Sequence, residues 1–159
     1  LAANKVNYQI VPGITAAAGC SAYAGIPLTH RDHAQAIQFV TGHCKKDGQE
    51  LDWQSLAKPN QTLAIYMGVI KSPHIQAELL QHGRKADTPV AVIENGTRKN
   101  QRVVTGQLGE LADLIERNSI VSPALLIIGE VAALHSQLAW FGQNNQTSSY
   151  AQPLTDIAH

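Results

Sequence analysis

The sequence predicts an α/β fold: a mixed five-stranded sheet flanked by helices. Three observations carry the prediction. Short apolar runs bounded by Gly, Pro and Asn alternate with segments of helical periodicity, the mark of strands interleaved with helices. The runs are four to six residues long, too short for typical helices. The segment from Ala91 to Val104 reads as two strands joined by Asn95-Gly96-Thr97-Arg98-Lys99-Asn100, and such a hairpin makes neighbouring strands antiparallel.

In chain order, Leu1 to Lys5 reads as the tail of a helix, and Tyr8 to Val11 as a short strand ending at Pro12-Gly13. Gly13 permits a sharp turn or close approach to a ligand. Ala16 to Ala24 is a helix of small residues, with Thr15 in position to cap it and Gly25 and Pro27 to end it. Ala36 to Thr41 is a strand, and Trp53 to Ala57 forms one helical turn in a loop. Thr62 to Met67 is a buried strand. Ser72 as N-cap and Pro73 at the first position open a helix whose buried stripe is Ile75, Leu79 and Leu80, closed by Gly83. Pro89 to Ile93 and Arg102 to Thr105 are strands. Leu108 to Arg117 is a helix, Ala124 to Ile128 a fully apolar strand, and Val131 to Phe141 a last helix. Residues 1–142 thus form one domain, and the Gln, Asn, Ser and Thr of 143–159 a flexible tail.

Composition narrows the function. The chain has 159 residues, enough for one domain with a real core. Lys plus Arg equals Asp plus Glu at 12 each, which argues against a broad nucleic-acid-binding face. No apolar run approaches the roughly 20 residues that span a bilayer, and no membrane role is expected. Cys20 and Cys44 are isolated, as expected of reduced thiols in a cytoplasmic protein. The familiar nucleotide-binding, hydrolase and zinc-protease motifs are missing, and of the seven His only His30 and His33 are close, with no second pair at ligand spacing, so no metal site is expected.

The densest stretch is Val11 to Asp32, VPGITAAAGCSAYAGIPLTHRD. Its spacing admits two readings: close helix-to-sheet packing, or a thin wall against which a flat ligand lies. Thr29, His30, Arg31 and Asp32 end it with polar groups able to hold an anion. The remaining candidates are loops at strand ends, where ligands of α/β sheets bind: Gly13 to Ala16, Met67-Gly68, Asn95-Gly96-Thr97 and Gly129-Glu130. Met67 is either a polarizable contact for a flat ring or a core filler.

The order of these pieces adds to the reading. VPGITAAAGCSAYAGIPLTHRD is followed by Phe39-Val40-Thr41-Gly42-His43, then by Thr62 to Gly68 (TLAIYMG). Thr88 to Val92 (TPVAV), Asn95-Gly96-Thr97-Arg98 and Pro123 to Val131 (PALLIIGEV) come next. Over residues 9 to 141 this series resembles the C-terminal half of the uroporphyrinogen-III C-methyltransferases. These are tetrapyrrole methylases that include the methyltransferase module of siroheme synthase.

The resemblance implies a C-terminal subdomain of the tetrapyrrole methylase fold. S-adenosyl-L-methionine would bind in a cleft between two subdomains and leave as S-adenosyl-L-homocysteine. Thr15 and Ala16 would meet its methionine part, Met67 and Gly96 its nucleoside, and Ala124 its adenine. The substrate would be uroporphyrinogen III, methylated at two pyrrole carbons to give precorrin-2. Its carboxylates need charge-assisted partners, and His30, Arg31 and Arg98 are the candidates. The acid and base residues of this family belong to an N-terminal subdomain outside the chain, so no catalytic residue is assigned here. A fragment of a longer protein, inactive alone and homodimeric when whole, is the expectation. The alternatives are a methylase of a later corrinoid intermediate and a non-catalytic dimerisation or scaffold domain with a degenerate cleft.

Overall fold

A computed structural model describes residues 1–42 and 51–142. His43, Cys44, the start of the loop before Trp53 and the expected tail lie outside the described residues. The five strands are β1 (Ala36–Thr41), β2 (Gln61–Tyr66), β3 (Pro89–Glu94), β4 (Arg102–Gln107) and β5 (Ala124–Ile128). They form one sheet in the order β1-β2-β5-β3-β4. β1 and β2 are parallel. The pairs β2/β5, β5/β3 and β3/β4 are antiparallel, so the sheet is mixed and the 91–104 hairpin is real.

Burial follows the strand period of two. Leu63, Ile65, Val90, Val92, Leu126 and Ile128 face one side. There they pack on Trp53 and Leu56 of α2 (Trp53–Leu56), Ile75 and Leu79 of α3 (Ser72–Gln81), and Leu111, Leu114 and Ile115 of α4 (Leu111–Arg117). Ala64, Ala91, Ile93, Leu125 and Ile127 face the other side, against Ala17, Cys20 and Ala24 of α1 (Ala16–Ala24) and against Val131 and Ala132. The central strands β2, β5 and β3 are covered on both faces, which is why they read as continuous apolar runs. Facing alanines on α1, β2 and β3 provide for the close helix-to-sheet approach that the small-residue helix suggested.

The helix ends show how the chain is steered. Gly25 closes α1 in the left-handed region (φ 65°), and the amides of Gly25 and Ile26 donate to the carbonyls of Ala22 and Ser21. A Cβ on Gly25 would lie 2.1 Å from the carbonyl oxygen of Leu138, in α5 (His135–Leu138). Gly83 ends α3 in the same way, with the amides of Gly83 and Arg84 donating to Leu80 and Leu79.

Several sequence expectations are corrected. Tyr8 to Val11 joins no sheet: the ladder ends at β1 and β4, and Ile10 and Val11 are each 80% exposed. Ser72 is the first residue of α3 and not its cap, because its hydroxyl donates to the carbonyl of Val69 at 2.8 Å. Thr15 is the N-cap residue of α1 but makes no side-chain cap, its hydroxyl being engaged elsewhere. The helix expected from Leu108 opens as a 3-10 turn over Leu108–Glu110. The last helix is a 3-10 turn over Glu130–Leu134 followed by the short α5, since Ala139 returns to extended backbone. Gly13 is neither left-handed nor close to any other group, so no contact among the described residues requires a glycine there.

Candidate functional site

One end of the sheet opens into a pocket of about 390 Å³. Four chain segments converge there: Ala16 and Cys20 of α1, Tyr66-Met67 at the end of β2, Ile93, Asn95, Gly96 and Arg98 at the end of β3 and in the loop beyond it, and Ser122 to Leu125 entering β5. Because β5 runs antiparallel to β2 and β3, its beginning meets their ends, and the strand order accounts for three of the four segments.

Each wall has a local cause. Met67 leaves β2 with φ 53° and is 62% exposed, so it is not core filling. Asn95 and Thr97 are also left-handed (φ 51° and 67°), folding the hairpin loop over the pocket edge. Gly96 lies so close to α1 that a Cβ there would be 2.2 Å from Cys20 Sγ. The thin helix therefore receives the Asn95-Gly96-Thr97 turn, with Gly19 opposite Thr97. Burial pushes the Cys20 thiol pKa up, so it stands there as a neutral apolar contact.

Glu94 ties two walls together. Its buried carboxylate accepts from Arg102 Nε at 2.6 Å and from the Val121 amide at 2.8 Å, while the next amide, of Asn95, donates to the carbonyl of Pro123 at 2.9 Å. The Arg102 hydrogen bond, then the Val121 amide, hold the carboxyl below the usual carboxylate range, against the opposing effect of burial. The loop entering β5, with its cis Ser122-Pro123 bond, is thereby fixed to the end of β3.

The structure sorts the sequence candidates into two groups. Ala16, Met67, Gly96 and Ala124 line the one pocket, and Thr15 stands at its rim through a hydrogen bond to the pocket residue Tyr66. Arg98 lines this same pocket. His30 and Arg31 are elsewhere, in a shallow depression with Thr29, Ala34 and Gln35. There the amide of Asp32 donates to His30 Nδ1 at 3.2 Å and the rings of His30 and His33 lie 4.7 Å apart. The structure thus parts Arg98 from the two residues with which the sequence grouped it. Among the described residues no group of three or more His, Cys, Asp or Glu is placed to hold a metal, and no helix is long and apolar enough to cross a membrane.

Sequence reasoning missed the Cys20–Gly96 contact, the Glu94 tie and Tyr66. Only Tyr66 carried a signal: a phenol at the end of an otherwise apolar buried strand usually has a partner for its hydroxyl.

Fold and pocket together define an α/β domain with a candidate pocket at the sheet end. The chain belongs to the tetrapyrrole (corrin/porphyrin) methylases, whose family profile matches residues 1–112. It is 89% identical over 158 residues to a siroheme synthase of Pseudoalteromonas translucida, covering 99% of this chain and 33% of that relative. A siroheme synthase of Aeromonas salmonicida is 57% identical over 157 residues, covering 99% of this chain and 32% of its own length. The chain therefore spans about a third of the curated relatives it matches.

Among solved structures, a uroporphyrin-III C-methyltransferase of Thermus thermophilus complexed with S-adenosylhomocysteine superposes with a TM-score of 0.71 at 32% identity. The match covers 84% of this chain and 55% of that one. A cobalt precorrin-4 methyltransferase of cobalamin biosynthesis superposes at 0.73 with 25% identity, covering 82% of this chain and 55% of the other.

Proposed function

We propose that this chain is the C-terminal, cofactor-binding half of a methylase that transfers methyl groups from S-adenosyl-L-methionine to two pyrrole carbons of uroporphyrinogen III. The observation that carries this reading is the convergence of Ala16, Met67, Gly96 and Ala124 on one pocket. These residues are far apart in sequence, and the resemblance gives all of them to the cofactor. The siroheme synthase relatives and the Thermus thermophilus structure complexed with S-adenosylhomocysteine support the same chemistry.

The cofactor's sulfonium supplies an activated methyl group when bound. The chain's own residues bind and orient. The thioether of Met67 offers a soft contact to a flat ring. Gly96 lets backbone reach the nucleoside, and the apolar side chains of Ile93, Ala124 and Leu125 keep water from it. Arg98 brings a guanidinium to the same pocket, where it suits either a cofactor oxygen or a substrate carboxylate. His30 and Arg31, in their separate depression, suit a peripheral carboxylate of a tetrapyrrole. The proton-transfer groups and the opposite wall of the cleft come, in this reading, from the part of the longer relatives that this chain does not span.

A methylase of a later corrinoid is the second reading, favoured by the TM-score of 0.73 with the precorrin-4 enzyme. Identity ranks it below the first, at 25% against 32%. Two assays on the full natural chain carrying this sequence separate the readings. Calorimetric binding of S-adenosylhomocysteine distinguishes a methylase from a scaffold. Uroporphyrinogen III with S-adenosylmethionine should develop the absorbance of precorrin-2, and a protein that binds cofactor but leaves this substrate unchanged contradicts the first reading.

A further inference from the structure

We propose that Tyr66 is a positioning residue that sets the direction of the Thr15 hydroxyl at the pocket rim. The proposal rests on the reading of Thr15 and Ala16 as the contact for the amino-acid end of the cofactor. Tyr66 is the last residue of β2, half-buried, and its ring lines the pocket beside Met67. Its hydroxyl oxygen lies 3.0 Å from the amide of Ala17 and 2.5 Å from Thr15 Oγ1. Both partners belong to the start of α1, 49 and 51 residues away in sequence.

The arrangement inverts ordinary helix capping. An N-cap threonine usually accepts from the second or third amide of its helix. Here the amide of Ala17, the second of α1, donates to the Tyr66 oxygen, and Thr15 makes no cap. Two hydroxyl protons remain, one on Tyr66 and one on Thr15, and a single contact joins the two oxygens. The amide already donates into the Tyr66 oxygen, which polarises its O–H to donate onward. The chain then runs from Ala17 N–H to Tyr66 O–H to Thr15 Oγ1, and the Thr15 proton is left to donate outward. Such a donor fits a carboxylate or another anionic acceptor on the ligand.

Tyr66→Phe in the full natural chain removes the oxygen and keeps the ring. We expect S-adenosylhomocysteine to bind about tenfold more weakly by calorimetry, the effect of one lost charge-assisted hydrogen bond. Binding of 5′-methylthioadenosine, which lacks the amino-acid end, should be unchanged. In a Thr15→Val background the Tyr66→Phe change should cost no further affinity, and Thr15→Ser should retain wild-type binding. Equal weakening for both ligands, additive losses, or no change in S-adenosylhomocysteine binding would each overturn the proposal. Should the unmodified protein bind no S-adenosylhomocysteine, the cofactor reading itself fails, and the proposal with it. If Tyr66→Phe does not fold, the crystal structure of the S-adenosylhomocysteine complex decides: Thr15 Oγ1 within hydrogen-bond distance of both the Tyr66 hydroxyl and the ligand carboxylate supports the proposal, and a Thr15 hydroxyl without contact to that carboxylate overturns it.

Discussion

Substituting Gly96 by Ala tests the close approach on which the pocket depends. The new Cβ would lie 2.2 Å from Cys20 Sγ and 3.2 Å from Cys20 Cβ. Reaching an ordinary 3.4 Å contact requires an opening of roughly 1.2 Å between the turn and α1. Cys20 is buried against Ala64, Ala91 and Ile93 and has little room to yield. Overpacking of this kind costs about 1–3 kcal/mol, or roughly 2–4 °C in Tm per kcal/mol for a domain of this size. Moving Asn95 and Gly96 outward also displaces a pocket wall, so S-adenosylhomocysteine should bind about tenfold more weakly. Cys20→Ala removes the sulfur and leaves only the 3.2 Å contact, which a shift of a few tenths of an ångström relieves. The double variant should therefore recover much of what Gly96→Ala loses, with a coupling of about 1–2 kcal/mol. Thermal denaturation and calorimetry on the four proteins of the cycle measure it. Strictly additive losses, or a Gly96→Ala protein indistinguishable from wild type, would refute the reasoning.

Two further substitutions separate stability from binding. The folded pKa of Glu94 lies below the usual carboxylate range, chiefly through its hydrogen bond to Arg102 and then through the Val121 amide. Its contribution is therefore present above the unfolded pKa and lost as pH falls through the folded value. Glu94→Gln should lower Tm at neutral pH, and the gap from wild type should close in acid; a gap that is constant with pH would contradict this. Arg84, buried at the opposite end of β2, donates to the carbonyls of Lys58 and Gln61. Arg84→Met should cost about 1–3 kcal/mol in thermal stability while S-adenosylhomocysteine affinity holds, and a selective loss of affinity would show that the two ends of the strand are coupled.

What could be read in the chain follows from the range of each interaction. β2, β3 and β5 were legible because burial on both faces demands unbroken apolar runs, and the turn at Asn95 because Asn tolerates the left-handed backbone it adopts there. Tyr8 to Val11 misled because a short run leading into a Pro-Gly turn says nothing of a ladder partner. Ser72 and Thr15 misled in a related way: each hydroxyl had a competitor, the Val69 carbonyl in one case and the Tyr66 phenol in the other. The candidate pocket was legible in the Met67 and Asn95-Gly96 loops, whereas Gly129-Glu130, at the end of the antiparallel β5, falls at the opposite end of the sheet. The placement of Arg98 with Met67, apart from Arg31, depends on where the hairpin loop comes to rest, a three-dimensional fact. The contact of Gly96 with Cys20 joins residues 76 positions apart, beyond any local pattern.

A crystal structure of the full natural chain with S-adenosylhomocysteine bears most directly on the claim that the sheet-end pocket receives the cofactor. The adenosine is expected between Met67, Gly96 and Ala124, with the amino-acid end near Thr15 and Ala16. Adenosine bound away from these residues, beside His30 and Arg31 for example, would contradict the claim.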